Sequence, residues 1–150
     1  MTDKPILPPI QDNEWPQEIA DLMDGFAGAL GPERSEVVIL RVAFRFGSGY
    51  EWNHHVDRAT RLGFSAERIA ALRAMPEGED GLIVRAVDML IDQRRLAPET
   101  EAALAETLGR PAVFDLIATV GFYAVLGYIL ITYRTPLDAG IADVFSGTEK

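Results

Sequence analysis

Gly47-Ser48-Gly49-Tyr50-Glu51-Trp52-Asn53-His54-His55 closes one helical run, opens the next, and carries both histidines of the chain. Placed on a helix at 100° per residue, residues 48 to 62 put Glu51, Trp52, His55, Val56, Ala59 and Leu62 on one side, the side expected to be buried. Asn53, His54, Asp57, Thr60 and Arg61 fall on the other, and His54 is expected to meet solvent. An acid and an imidazole thus stand one turn apart on the inner face.

Outward from this stretch the pattern is helical throughout. Upstream, Glu33 to Phe46 is strongly apolar, with Arg41 and Arg45 one turn apart as its wide polar stripe and Glu36 on the opposite side with Leu40 and Ala43. Before it, Ile19, Leu22, Met23, Phe26 and Leu30 recur at three and four, predicting a helix over Gln17–Leu30 closed by Gly31-Pro32. Downstream, Gly63 ends the histidine helix and Ser65 caps a short one, Ala66–Ala74, stopped by Met75-Pro76. Helices follow over Gly81–Arg94, Pro98–Gly109, and from Pro111 to just before Thr135-Pro136. No segment alternates at period two and no repeat is detectable, so the expectation is an all-α domain of about seven helices over 1–150. Residues 1–16, with four prolines, read as an extended arm, and 141–150 as a C-terminal tail.

With 150 residues, 48% hydrophobic and 25% charged, the chain suits a single globular domain. A net charge of −9 without a dense basic cluster argues against nucleic acid and anionic membrane, leaving small molecules or protein partners. The start, Met1-Thr2-Asp3-Lys4-Pro5, lacks the basic and then apolar run of a secretion signal, and zero cysteines remove any disulfide argument, so a cytoplasmic location is expected. Ala112 to Tyr133 is long enough to span a bilayer and carries Asp115 as its one charge. Asp115, Thr119, Thr132 and the absence of a basic flank point instead to a helix buried in a subunit interface.

Four residues spaced 12, 3 and 4 apart form the first candidate site: Glu36, Ser48, Glu51 and His55. A buried carboxylate beside an imidazole is the pairing that proton transfer needs. The alternative is a core histidine satisfied by Glu51, with Glu36 bonded to backbone donors at a helix start. Metal binding is weaker: Glu51-x-x-His54 matches half of a di-iron bundle motif, which is wanted twice, and no third histidine exists. Cysteine nucleophiles are excluded, and Ser48 lacks the preceding strand of a nucleophile elbow. Arg41, Arg45 and Arg134 each offer a bidentate carboxylate contact, although the first two suit a solvated or salt-bridged face. Phe122, Tyr123 and Tyr128 read as pocket lining or as core.

Glu36, Ile39-Leu40-Arg41-Val42-Ala43, Gly49-Tyr50-Glu51-Trp52-x-x-His55, Ala59 and Leu62-Gly63-Phe64-Ser65 together resemble the carboxymuconolactone decarboxylase family, which includes the alkylhydroperoxidase D-like proteins. The likeness runs over about residues 15 to 135, with Asp115 through Gly121-Phe122-Tyr123 similar to the closing helix. It implies a helical subunit assembled as a trimer or hexamer with sites at subunit contacts. The peroxidase branch carries a Cys-x-x-Cys-x-x-x-His motif after an upstream glutamate. Here the histidine falls on His55, the glutamate on Glu36, and the two cysteines on Ser48 and Glu51. Without a thiol, peroxidase chemistry has neither nucleophile nor resolving group.

The resemblance therefore implies the decarboxylase branch, whose enzymes use no cofactor and release carbon dioxide from a lactone carboxylic acid by acid–base chemistry. On that reading His55 moves a proton, oriented by Glu51 or Glu36, while Ser48, Tyr50, Trp52 and Arg134 contact a small-molecule substrate. An isomerase, a lactone-opening hydrolase or a non-catalytic ligand-binding helical oligomer would fit the same residues.

Overall fold

The computed structural model describes residues 28–146. The arm and most of the helix expected over Gln17–Leu30 lie outside them; residues 28–30 form a turn. Among the described residues six helices occur and no strand: α1 Pro32–Phe46, α2 Gly49–Arg61, α3 Ala66–Ala71, α4 Gly78–Gln93, α5 Pro98–Leu108 and α6 Arg110–Thr132.

Helix α1 organises the rest. Pro32 sits in its first turn, where a missing N–H costs nothing. Every residue from Ser35 to Ala43 is buried, and α2, α4 and α6 pack around the helix. Val37, Val38, Leu40 and Val42 are wholly shielded, each worth about 1.5–3 kcal/mol of apolar burial. The helix stops at Gly47, whose left-handed φ of 67° turns the chain. There the Gly47 amide donates to the Phe44 carbonyl and the Ser48 amide to that of Ala43, satisfying two carbonyls that the helix leaves unmatched. This turn swings α2 back against α1.

A helix buried on all sides must place its charged residues against partners. Arg41 is 7% exposed rather than solvated. Its Nε and Nη2 donate to the Asp88 carboxylate on α4 at 2.8 and 2.7 Å, and its Nη1 to the carbonyls of Leu72 and Ala74 at 3.0 and 2.8 Å. Those carbonyls belong to the turn after α3, so α3 ends at Ala71 instead of running to Ala74. Arg45 bridges Asp88 and Asp92. Burial alone would raise the Asp88 pKa; Arg41 and Arg45 outweigh it and hold the carboxyl below its ordinary value. Both arginines thus take the salt-bridged role that their polar stripe suggested, in place of a substrate clamp.

The charge in the apolar helix α6 is explained in the same way. Asp115 Oδ2 accepts the amides of Ala29 and Leu30 at 2.7 and 3.2 Å, pinning the turn that leads into α1. Helix α6 is long and apolar enough to cross a membrane, a test that core helices also pass. It is not enclosed all round within the chain: Leu116, Val120 and Tyr123 face the core, whereas Phe114, Val125, Tyr128 and Ile129 are exposed.

Residues 135–146 do not trail away as a free tail. Asn53 Nδ2 donates to Asp143 at 3.0 Å, the Val144 amide donates to Asn53 Oδ1 at 2.9 Å, and Phe145 packs against Trp52. Hydrogen bonds, first from Ser146 and then from Asn53, bring the Asp143 carboxyl down to about 2. Asn53, placed on the wet side by helical phase, is therefore buried under this segment.

Asp88→Asn leaves the Arg41 cation buried without its counter-charge and is expected to destabilise the fold by about 3 kcal/mol, read as the shift of a urea unfolding midpoint. Asp57→Asn breaks an exposed pair with Arg61 and is expected to change stability by no more than about 0.5 kcal/mol.

Candidate functional site

Glu36 stands in the second turn of α1 and is 1% exposed. Its Oε2 lies 2.7 Å from His55 Nδ1 and its Oε1 3.0 Å from Arg58 Nε, both from α2. Pairing with the carboxylate assigns the Nδ1 proton to the His55 ring, so Nε2 is the basic nitrogen in the neutral imidazole. The hydrogen bond that His55 makes among the described residues is the one at Nδ1, which leaves Nε2 open. The Tyr123 ring of α6 meets the His55 ring edge-on, with centroids 5.2 Å apart. Of the two carboxylates that spacing placed near His55, the structure pairs it with Glu36.

Glu51 occupies a separate compartment one turn before His55. It is 3% exposed, and neither of its oxygens nor the buried Ser48 Oγ makes a hydrogen bond of ordinary geometry among the described residues. Ser48 begins α2 without using its hydroxyl as a cap. Burial pushes the Glu51 carboxyl up to about 7, opposed in part by the neighbouring Ser48 hydroxyl. Room for the carboxyl comes from Gly127 on α6: a Cβ there would lie 3.1 Å from Glu51 Oε2. Tyr123 lies within reach of both compartments. Burial and then the Glu36 charge raise its phenol above the ordinary range, with a smaller contribution from Glu51, so the hydroxyl keeps its proton.

The remaining sequence-predicted contacts disperse. The Tyr50 hydroxyl donates to Asp138 at 3.2 Å and its ring stacks on His54 at 3.9 Å. His54 is not a wet bystander: Nε2 lies 3.1 Å from Asp138, and Nδ1 lies 2.9 Å from the Tyr50 carbonyl. Trp52 is 1% exposed and lines a cavity of about 330 Å³ on the other flank of α2, next to Phe64, Ile69 and Arg73. Arg134 is exposed just past α6, with φ 50°.

Arg58 was missed by sequence reasoning. It stands three residues after His55, on the same helix face, which is the signal that would have found it. Tyr123 was left open between pocket and core, because α6 is apolar nearly all round and its phase marks no single inner face. Among the described residues, no group of three or more His, Asp or Glu side chains is gathered closely enough to hold a metal ion.

The model of the carboxymuconolactone decarboxylase family matches residues 14–81, a span that contains Glu36, Ser48, Glu51 and His55. Over that span, somewhat under half of its length, the chain is similar to the carboxymuconolactone decarboxylase family. Its lack of cysteine agrees with the branch of that family without the redox pair. No curated protein matches the chain, and no solved structure does.

Because Glu51 holds its proton more tightly folded than unfolded, stability is expected to fall as pH rises from about 4.5 to about 7 and then to level off, by of order 3 kcal/mol in all. Thermal unfolding followed by circular dichroism checks this. Glu51→Gln is expected to flatten the decline in that window and to unfold at a higher temperature than the parent at pH 8.

Proposed function

We propose that this protein is a cofactor-independent acid–base enzyme that decarboxylates a small carboxylated lactone or a related ring-cleavage product. Similarity to the family over residues 14–81 supports a decarboxylase-like or alkylhydroperoxidase D-like role in general, and the absence of thiols favours the former. The observation that carries the reading is the Glu36–His55 pair: a buried carboxylate holds Nδ1 and leaves Nε2 without a partner among the described residues.

In the proposed reaction the carbon–carbon bond to the substrate carboxylate breaks and carbon dioxide leaves. The electron pair passes into the lactone carbonyl as a dienolate. Protonation at the ring carbon completes the step, with His55 Nε2 moving the proton while Glu36 and Arg58 hold the ring. One positioned acid contributes on the order of 10²- to 10⁴-fold here. Glu51, titrating near 7, is the reserve proton donor, and the Tyr123 phenol is a neutral donor for the oxygen that gains charge. A homo-oligomer in the cytoplasm is part of the same proposal, with the exposed α6 face of Phe114, Val125, Tyr128 and Ile129 packed on another copy.

One observation favours a second reading, a non-catalytic ligand-binding helical protein: the cavity beside Trp52 is not lined by Glu36, Glu51 or His55. An isomerase or a lactone-opening hydrolase would use the same groups and release no carbon dioxide.

Purified protein offered a panel of carboxylated lactones is expected to release carbon dioxide from at least one. His55→Ala is expected to lower kcat by about 10²-fold or more, and Glu36→Gln to lower it by roughly 10-fold or more through misorientation of the ring. Full turnover in both variants, or none by the parent on any lactone, contradicts the lyase reading.

A further inference from the structure

The arginines of this protein differ in how much of each guanidinium is engaged. Arg34 and Arg68 each give two nitrogens to one carboxylate, and Arg45 gives two to a pair of aspartates. Arg41 uses all three of its nitrogens, on Asp88 and two carbonyls. Arg58 is different. Its Nε lies 3.0 Å from Glu36 Oε1, its Nη1 and Nη2 make no hydrogen bond among the described residues, and its side chain is 61% exposed. A guanidinium held at Nε keeps the edge formed by Nη1 and Nη2 for another acceptor, and that edge matches the two oxygens of a carboxylate.

The spare edge sits beside the open nitrogen of His55. Glu36 is buried and takes one side chain on each oxygen: His55 Nδ1 on Oε2 at 2.7 Å, and Arg58 Nε on Oε1. His55 and Arg58 are three residues apart on α2, so their Cβ atoms lie about 5–6 Å apart on one face. One buried anion therefore fixes both groups by their inner atoms and leaves the outer ones, Nε2 and the Nη1–Nη2 edge, unengaged. Neutralising Glu36 alone needs a single nitrogen, which a lysine supplies. An arginine adds a second, bidentate edge to the same residue. Arg41 and Arg45, engaged by Asp88 and Asp92, offer no such edge.

We infer that Arg58 is the carboxylate receptor of the site: its Nη1–Nη2 edge takes a carboxylate of a small ring substrate bidentately and so sets the ring in front of His55 Nε2. The inference rests on the proposed acid–base reading of the Glu36–His55 pair and deepens it by naming the residue that selects carboxylated over neutral substrates. The contact is made with a charge already present in the bound substrate, so it acts chiefly on KM and not on kcat.

The probe is furan-2-carboxylate, an unreactive five-membered oxygen ring with one carboxylate, and furan-2-carboxamide is its neutral counterpart. The chain has two histidines, so His55 gives one of two imidazole signals in ¹H–¹⁵N spectra, assigned as the one retained in His54→Gln. The carboxylate is expected to shift that signal saturably, with the amide at least about fivefold weaker. Arg58→Gln is expected to weaken the carboxylate by about fivefold or more, and Arg58→Lys, which still pairs with Glu36, by nearly as much. A role confined to neutralising Glu36 predicts parent-like binding in Arg58→Lys. Absence of a saturable shift, equal affinity for the amide, or parent-like affinity in a folded Arg58→Gln or Arg58→Lys protein overturns the inference. The amide comparison uses no variant at Arg58, so it decides even if neither variant folds. Binding through Arg58 without carbon dioxide release from any lactone removes the lyase reading alone, whereas lactone turnover with KM unchanged in Arg58→Lys removes the receptor alone.

Discussion

Two opposite charges on a helix with no exposed flank govern the arrangement of this protein. Glu36 and Arg41 are five residues apart on α1, about 140° around the axis, so they point to different neighbours. Neither can be left unmatched, because a buried charge without a partner costs several kcal/mol. Arg41 is answered by Asp88 on α4 and by two carbonyls of the turn after α3; Glu36 is answered by His55 and Arg58 on α2. Apolar burial around Val37, Val38, Leu40 and Val42 drives association of the helices but is indifferent to small rotations. The charged contacts are directional, and they select the rotation of α2 and α4 about the central helix.

The site follows from that selection. Once α2 is turned so that His55 meets Glu36, Glu51 one turn earlier faces the same interior but reaches α6 instead of α1. There Gly127 removes the one Cβ that would crowd its carboxyl. Two glutamates, 19 and 4 residues from one histidine, therefore meet opposite surroundings: one between two nitrogen donors, the other among apolar atoms with an ill-matched hydroxyl. Divergent environments for like residues are the usual means by which one fold holds an acid and a base together. Tyr123 stands where both charges are felt, which ties α6 to the site although the family match ends at residue 81.

How much of this was legible in the sequence depends on the range of the interaction. The Gly47-Ser48-Gly49 turn, the inner phase of Glu51 and His55, and the helix starts at Pro32, Pro98 and near Pro111 are local matters of backbone freedom and periodicity, and they read directly. The pairing of His55 with Glu36 in preference to Glu51 was not readable from phase, since both acids fall on buried faces; the choice is made by the packing of α1 on α2. Asn53 and His54 were misplaced for a related reason. Helical phase says which residues face away from the core helix, but a later segment can cover that side, and residues 138–145 do so. Arg41 looked like a surface residue because its stripe of the wheel is polar; the partner that buries it is 47 residues away.

The same covering segment gives the two flanks of α2 different characters. On the flank toward α1 and α6, Glu36, Arg58 and Glu51 gather around His55, which suits movement of a proton over short distances. On the flank toward α3 and the C-terminal segment, a cavity opens and its lining is mostly apolar. Both depend on one short stretch, Glu51 to His55, because five consecutive positions on a helix sweep some 400° and so address every neighbour. Trp52 and Glu51 are adjacent in the chain and about 100° apart on the wheel, and that rotation separates a buried indole N–H from a buried carboxyl, each without a hydrogen bond of ordinary geometry among the described residues. A change that rotated α2 by a fraction of a turn would disturb both flanks together. The directional contacts made by Glu36 therefore position the indole of Trp52 as well as the imidazole of His55.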